Sequence, residues 1–258
     1  MPYALITGAS KGIGKAFAQK LAERHHDVLL VSRSGDLLKQ LADELISKYK
    51  IKAYYLPLDL SILNASEKIL EWIQSNQFEV DILINNAGYG LWGKFSELDL
   101  NEQEEMIRVN IHTLVHLTHK MIPVLQKQKK SYILNVSSTT AYQAIPTLAV
   151  YAAAKSFILS FTRSLSHEMK GTNISVSCLS PGTTKTDFVE RSRMYHMKAL
   201  SDKMSMTPKA VAAIGLKGMF AGKREIIPGV TNKVGAFLAQ HAPKWLTEKT
   251  AAGIYKKK

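Results

Sequence analysis

Tyr151 and Lys155 stand four residues apart in a stretch with helical periodicity, and Ser138 lies thirteen residues before the tyrosine. Residues four apart on a helix share a face, with Cβ atoms about 5–6 Å apart. An ammonium at that distance can hold a phenol near the protonation state that proton transfer requires, and a serine hydroxyl can steady the oxygen that takes the proton. Such a pair also arises by chance on solvated helix faces, so its weight comes from its company. Gly8, Gly12 and Gly14 cluster near the other end of the chain. Together the two groups point to carbonyl chemistry with a bound nicotinamide cofactor.

Residues so far apart need a scaffold to bring them together, and the pattern of the chain supplies one. Apolar runs at Tyr3–Thr7, Val28–Val31, Ala53–Leu56, Ile82–Asn85, Tyr132–Val136, Ile174–Leu179 and Glu225–Ile227 read as strands. Between them, Gly12–Arg24, Asp36–Tyr49, Ser61–Gln77, Asn101–Gln126, Tyr151–Met169 and Thr207–Gly222 carry apolar residues at helical spacing. Alternating strands and helices imply a parallel sheet covered on both faces, an α/β architecture. No repeat, low-complexity tract or Pro/Gly/Ser-rich linker divides the chain, so residues 1–227 read as one domain. Within it, residues 187–207 lack a clean period and follow a strand end, where loops of such sheets carry function.

The segment Thr7-Gly8-Ala9-Ser10-Lys11-Gly12-Ile13-Gly14 lies between the first strand and the first helix. There a pyrophosphate meets free backbone N–H groups and the positive end of a helix dipole. Gly8 allows the tight turn, Gly12 the approach of backbone to phosphate and Gly14 the packing of helix on strand, with Ser10 as a further hydroxyl donor.

These residues, taken in order, resemble the short-chain dehydrogenases/reductases over nearly the whole chain. The glycine segment is similar to that family's T-G-x-x-x-G-x-G, Asn85-Asn86-Ala87-Gly88 to its N-N-A-G, and Ser138, Tyr151 and Lys155 to its catalytic set. Pro181-Gly182 follows the sixth strand as it does in the family. The resemblance implies a Rossmann-type doubly wound domain with seven strands, a nicotinamide cofactor, reversible hydride transfer between cofactor and a carbonyl or alcohol, and a homodimer or homotetramer. It also implies that Asn110 supports a water-linked proton relay to Lys155, that Asp59 and Leu60 lie at the adenine, and that Asn86, Ala87 and Gly88 line the cofactor. Thr183 and Thr186, after Pro181 and Gly182, become donors to the nicotinamide carboxamide. Asp59 could equally cap a helix starting near Ile62.

Charge after the second strand argues the choice of cofactor. An acidic residue there accepts the ribose hydroxyls of NAD, whereas this chain has Ser32-Arg33, and Lys11 in the glycine loop is a second cation for a 2′-phosphate. NADPH is the expectation. Hydride transfer to a ketone also needs a proton for the developing alkoxide. Tyr151 is the proton donor in this reading, Lys155 its charge partner and ribose ligand, and Ser138, rather than Ser137, the donor to the substrate oxygen. Tyr89–Lys94, Tyr142–Leu148 and residues 188–207 are expected at the substrate mouth. Tyr89, Leu91, Trp92, Tyr142, Ile145, Met194, Met197, Met204 and Met206 make it apolar, which suits a lipid-like, acyl or polycyclic ketone.

The rest of the sequence narrows the alternatives. A formal charge of +13 favours anions but brings no RRM, KH or zinc-finger pattern, so nucleic acid is not expected. One cysteine, Cys178, forms no intrachain disulfide, and no signal segment or long apolar run stands out; a soluble, cytoplasmic protein is the expectation. The histidines form no metal pattern. An intact Ser138, Tyr151 and Lys155 argues against a non-catalytic cofactor sensor, the alternative reading. Residues 228–258 form a basic extension with an apolar side made by Val234, Phe237, Leu238, Trp245 and Leu246. Packing on the domain or another subunit is the favoured reading over a membrane surface.

Overall fold

The computed structural model describes residues 2–195 and 205–255. Seven strands form a single sheet: β1 (Tyr3–Thr7), β2 (Asp27–Ser32), β3 (Ala53–Pro57), β4 (Val80–Asn85), β5 (Ser131–Val136), β6 (Ile174–Leu179) and β7 (Glu225–Ile226). Their order is β3-β2-β1-β4-β5-β6-β7, with every neighbouring pair parallel. The order reverses between β1 and β4, and an open sheet of this kind binds ligands at the strand C-termini beside that reversal.

The strands carry apolar residues on both sides because both faces of the sheet are covered. Ala4, Ile6, Val28, Leu30, Ile82 and Ile84 pack with Phe17, Leu21, Leu41 and Leu216, which lie on α1 (Gly12–Ala22), α2 (Gly35–Tyr49) and α8 (Pro208–Phe220). Their alternates Leu5, Leu29, Val31, Leu83 and Ile133 pack on the opposite face. There they meet Ile69, Leu117, Met121 and Leu165 of α3 (Ala65–Ser75), α5 (Thr113–Leu125) and α6 (Ala149–Glu168).

A buried polar ladder fastens the second helical layer. Asn85 Nδ2 donates to Thr118 Oγ1 and to Asn135 Oδ1, each at 2.9 Å, and Asn135 Nδ2 donates to Thr162 Oγ1 at 3.0 Å. One chain of bonds thus links α5, β4, β5 and α6 with all four side chains buried.

Two boundaries differ from the sequence reading for physical reasons. The stretch Asn101–Gln126 is not one helix: α4 (Leu100–Ile107) passes through a π-helical turn, Arg108–His112, into α5. The third helix starts at Ala65 rather than near Ser61, because Asp59 Oδ1 accepts from both the backbone N–H and the hydroxyl of Ser61, 2.9 Å each, and holds a turn there. Asp59 therefore does not cap α3. After the short α7 (Phe188–Arg191), α8 and β7, the extension forms two more helices, α9 (Val230–His241) and α10 (Lys244–Tyr255).

The ladder predicts a specific cost. Asn135→Val leaves a donor on Asn85 and a hydroxyl on Thr162 without their buried partner, and should lower unfolding free energy by about 1–3 kcal/mol. Urea denaturation checks it: the midpoint falls while the m-value stays constant. An unchanged midpoint would mean that the ladder contributes nothing to holding α5 and α6.

Candidate active site

β1 and β4 end side by side, and their following loops are tied to each other. Thr7 Oγ1 accepts from the N–H groups of Asn86 and Ala87, 3.1 Å each, while Asn86 Nδ2 donates to the carbonyls of Thr7 (2.9 Å) and Gly8 (3.2 Å). This junction leaves no room for side chains. Gly8 has φ +66°, and a Cβ on Gly14 would lie 2.2 Å from the Gly8 carbonyl oxygen. The N-terminus of α1 carries no side-chain cap and no acidic residue in its first turn. Free N–H groups, a glycine cradle and a positive dipole end suit a pyrophosphate, so these residues fit a dinucleotide. Ser10 lies in that cradle, and Ile13, in the first turn, packs down on the core beneath. Thr186 closes the other side: its Cγ2 would be 3.0 Å from a Cβ on Gly12.

The π-helical turn aims Asn110 inward. Fully buried, it accepts from the Tyr89 N–H at 3.1 Å and donates to the Tyr89 carbonyl at 2.9 Å. A Cβ on Gly88 would lie 2.4 Å from Asn110 Oδ1 and 3.2 Å from Lys155 Nζ, so Gly88 is the gap through which amide and ammonium approach. Lys155, on the buried side of α6, donates to the Val136 carbonyl at 3.0 Å. Its ammonium lies 5.6 Å from the centre of the Tyr151 ring. Burial pushes its pKa down to about 8, and no carboxylate among the described residues forms an ion pair with it.

The two adjacent serines have different duties. Ser137 Oγ donates to the Lys155 carbonyl at 2.7 Å and so pins β5 to α6. Ser138 begins the next turn, its Oγ accepting from the Thr140 N–H at 3.1 Å. Tyr151 sits among Tyr89, Leu91, Ile145, Leu148 and Met194, with the Phe188 ring 5.4 Å from its own.

Several residues expected at the mouth lie elsewhere. Tyr142 is buried against Leu159, Ala236 and Ala239, and its hydroxyl donates to Glu225 at 2.5 Å; Arg163 grips the same carboxylate at 2.6 and 2.9 Å. That bond commits the phenol to the sheet edge. Met206 pairs with Thr184 and packs on the α1 side of the core. Met197 and Met204 lie outside the described residues.

At the nucleotide end, Arg33 stands at the tip of β2, 3.4 Å from Glu105, and Lys11 bridges to Asp187 at 2.9 Å. Burial disfavours the charged form of Asp59, but hydrogen bonds from Ser61, with the Arg33 and Arg191 charges, hold its carboxyl below the usual range. Leu60 is buried, its carbonyl accepting from Thr113 Oγ1 at 2.6 Å. Sequence reasoning missed Asp187, Glu105 and Arg191, whose guanidinium lies 4.3 Å from the Tyr89 ring centre, since all three meet the site through tertiary folding. It also missed Asn232 of α9, which abuts Gly182 in the Pro181–Gly182 turn; a Cβ there would lie 2.4 Å from Asn232 Oδ1. Thr183 is exposed beyond that turn, its carbonyl accepting from the Met206 N–H at 3.1 Å.

Residues 2–196 match the family model of the short chain dehydrogenases. The chain belongs to that family. This short-chain dehydrogenase is 29% identical over 261 residues to a very-long-chain 3-oxoacyl-CoA reductase of Rattus norvegicus, covering 98% of this chain and 80% of the relative. A solved 7beta-hydroxysteroid dehydrogenase superposes with a TM-score of 0.87 at 26% identity, covering 97% of this chain and 96% of that one. A short-chain dehydrogenase from Sphingobium yanoikuyae, solved in complex with NADPH, gives a TM-score of 0.82 at 26% identity with 92% of each chain covered. The seven-stranded Rossmann-type fold expected from the sequence is the fold found.

The buried ammonium sets a measurable trade. Burial lowers the pKa of Lys155 to about 8, whereas that of an ordinary lysine is about 10.4. Below pH 8 the cost of burying the charge is present in full; between the two values the unfolded chain binds more protons, so stability rises with pH. Lys155→Met should therefore raise the melting temperature of the cofactor-free protein at neutral pH, by a margin that shrinks toward pH 10. A melting temperature below wild type at pH 7 would refute this account of the lysine.

Proposed function

We propose that this short-chain dehydrogenase is an NADPH-dependent reductase of apolar ketones or acyl-type carbonyls, working reversibly on the matching alcohols. The observation that carries the reading is Tyr151 in an apolar cluster beside the buried ammonium of Lys155. When bound, the reduced nicotinamide supplies a hydride to the carbonyl carbon. Tyr151 gives its phenolic proton to the oxygen, and Ser138 donates a hydrogen bond that holds this oxygen in place. Lys155 favours the ionised phenol left behind, by charge, and holds the nicotinamide ribose. Asn110, across Gly88 from the ammonium, positions the Tyr89 loop and supports a water-linked path that returns a proton to Lys155.

Gly8, Ser10, Gly12, Ile13 and Gly14 hold the pyrophosphate in this reading, while Asp59 and Leu60 lie at the adenine. Asn86, Ala87 and Gly88 floor the groove, and Pro181, Gly182, Thr183 and Thr186 flank the nicotinamide. Preference for NADP rests on Arg33 and Lys11. Their pairs with Glu105 and Asp187 are solvent-exposed, and such pairs hold their partners by only about 0–1 kcal/mol. A charge-assisted bond to a 2′-phosphate is stronger, so the carboxylates do not withhold either cation from it. The NADPH-bound neighbour agrees with this choice.

Tyr89, Leu91, Ile145, Leu148 and Met194 around Tyr151 support an apolar substrate, as do the acyl and steroid chemistries in the names of the two relatives. A homodimer or homotetramer built through α5 and α6 is part of the proposal, supported by exposed Phe157 stacked on Phe161 at the surface of α6. A cytoplasmic location is the reading for Cys178, a buried free thiol. Among the described residues no helix is long and apolar enough to cross a membrane.

Purified protein assayed with NADPH and NADH against long-chain 3-oxoacyl thioesters and polycyclic ketones tests the proposal. Tyr151→Phe should lower kcat by roughly a hundredfold or more. NADPH binding without Tyr151-dependent turnover on any of these would favour a cofactor sensor instead. For the cofactor, Arg33→Asp should shift the kcat/KM ratio of NADPH over NADH by about tenfold or more toward NADH, the loss of one charge-assisted contact; an unshifted ratio removes Arg33 from the 2′-phosphate.

A further inference from the structure

The extension is assembled with its small residues inward and its large apolar residues outward. On α9, Asn232, Ala236 and Ala239 recur at i, i+4 and i+7 and meet the domain, the two alanines packing on Ala141, Tyr142 and Leu159. The opposite stripe, Val230, Val234 and Phe237 with the same spacing, faces solvent. On α10, Thr247 and Ala251 are buried, Ala251 in the cluster around Tyr151, while Trp245 and Leu246 stay outside. With Leu238, these six large apolar side chains are 44 to 75% exposed on one helical hairpin. The buried contacts of the extension with the domain are made by the small residues instead, so of the expected packing on the domain or another subunit, the domain does not cover these positions.

Charge selects what covers this face. From Pro228 to the end the chain has six lysines and one acidic residue, Glu248. A second copy docking by two-fold symmetry would set this patch against itself and bring like charges together. The helices proposed for subunit contact, α5 and α6, are different ones. An acidic protein would answer the charge but needs no stripe of valine, phenylalanine, leucine and tryptophan standing in water. Apolar side chains on one side with flanking lysines and an outward tryptophan are the composition of a helix that lies in a bilayer interface.

We propose that α9 and α10 form a docking surface for an anionic lipid bilayer, with Val230, Val234, Phe237, Leu238, Trp245 and Leu246 entering the headgroup boundary and Lys233 and Lys249 meeting lipid phosphates. Binding is peripheral and reversible, driven by apolar burial and by attraction to negative lipid. It is read without turnover, so its failure would leave the reductase proposal standing.

The test is co-sedimentation of the full chain with vesicles of phosphatidylcholine alone and of phosphatidylcholine mixed with phosphatidylglycerol. Partition into the anionic vesicles, weak binding to the neutral ones and loss at high salt are expected. Phe237→Ser with Trp245→Ser should lower partition by about tenfold or more, given the transfer energies of two large side chains. Lys233→Glu with Lys249→Glu should do likewise through charge. If the serine variant does not fold, brominated lipids serve instead: they should quench wild-type fluorescence and lose that quenching in Trp245→Phe. Failure to pellet with anionic vesicles overturns the proposal, as does binding that neither pair of substitutions changes. A serine variant that turns a dimer into a monomer in sedimentation velocity, with no vesicle binding by wild type, would assign the face to a second copy.

Discussion

A single uncompensated cation organises the centre of this molecule. Lys155 is buried on α6 with the Val136 carbonyl as its hydrogen-bond acceptor and no ion-paired carboxylate among the described residues. Burying an ammonium in this way is costly, which is why its pKa falls, and only a well-braced surround can hold it there. The bracing is visible. Ser137 ties β5 to the backbone of Lys155 itself, the ladder from Asn85 to Thr162 anchors α6 to β4 and β5, and Gly88 leaves the gap beside the ammonium. A carboxylate beside Lys155 would have made the fold more comfortable and would have cancelled the charge that lies 5.6 Å from the centre of the Tyr151 ring.

The same logic distinguishes two buried tyrosines. Tyr142 and Tyr151 both occupy apolar surroundings near the strand C-termini, yet their partners differ. Burial, with the hydrogen bond to the Glu225 carboxylate, raises the pKa of Tyr142 beyond that of a free phenol and keeps it protonated. Tyr151 faces a cation. Glu225 is itself held by Arg163, so the Tyr142 bond closes a triad that links the 3₁₀ turn after Ser138 to β7 and gives α9 a wall to pack on. The position of Ser138 thus rests on a network whose far end is the last strand.

How much of this could be read from the sequence depended on distance along the chain. The glycine loop, Asn86–Gly88 and the Tyr151–Lys155 pair were legible because each is a local pattern with a local reason, and strand positions were legible because both faces of the sheet demand apolar residues. The π-helical turn was hidden, since the hydrophobic period runs through Arg108–His112 without a break while hydrogen bonding changes. The partners of Lys11 and Arg33 lie 176 and 72 residues away, beyond any spacing argument. Tyr142 was misplaced because composition reports that a residue is apolar and aromatic, not which side of a turn it leaves from. In the extension, periodicity revealed an apolar stripe, but it could not say that alanines opposite would take the inner face.

That last inversion bears on how the extension meets the domain. A helix packed by alanines approaches closely, and Ala251 of α10 reaches the cluster around Tyr151 that way, as Ala236 and Ala239 of α9 reach the wall behind Tyr142. Exchanging inner and outer faces would force phenylalanine and tryptophan into those contacts and push both helices off the domain, since packed interiors tolerate added volume poorly. The large apolar residues are therefore excluded from the inside by geometry. Nothing in folding requires them on the outside, where lysine or glutamate would serve solubility better. The hairpin thus sets small residues against the cluster around Tyr151 and the wall behind Tyr142 on its inner side and presents large apolar residues among lysines on its outer side.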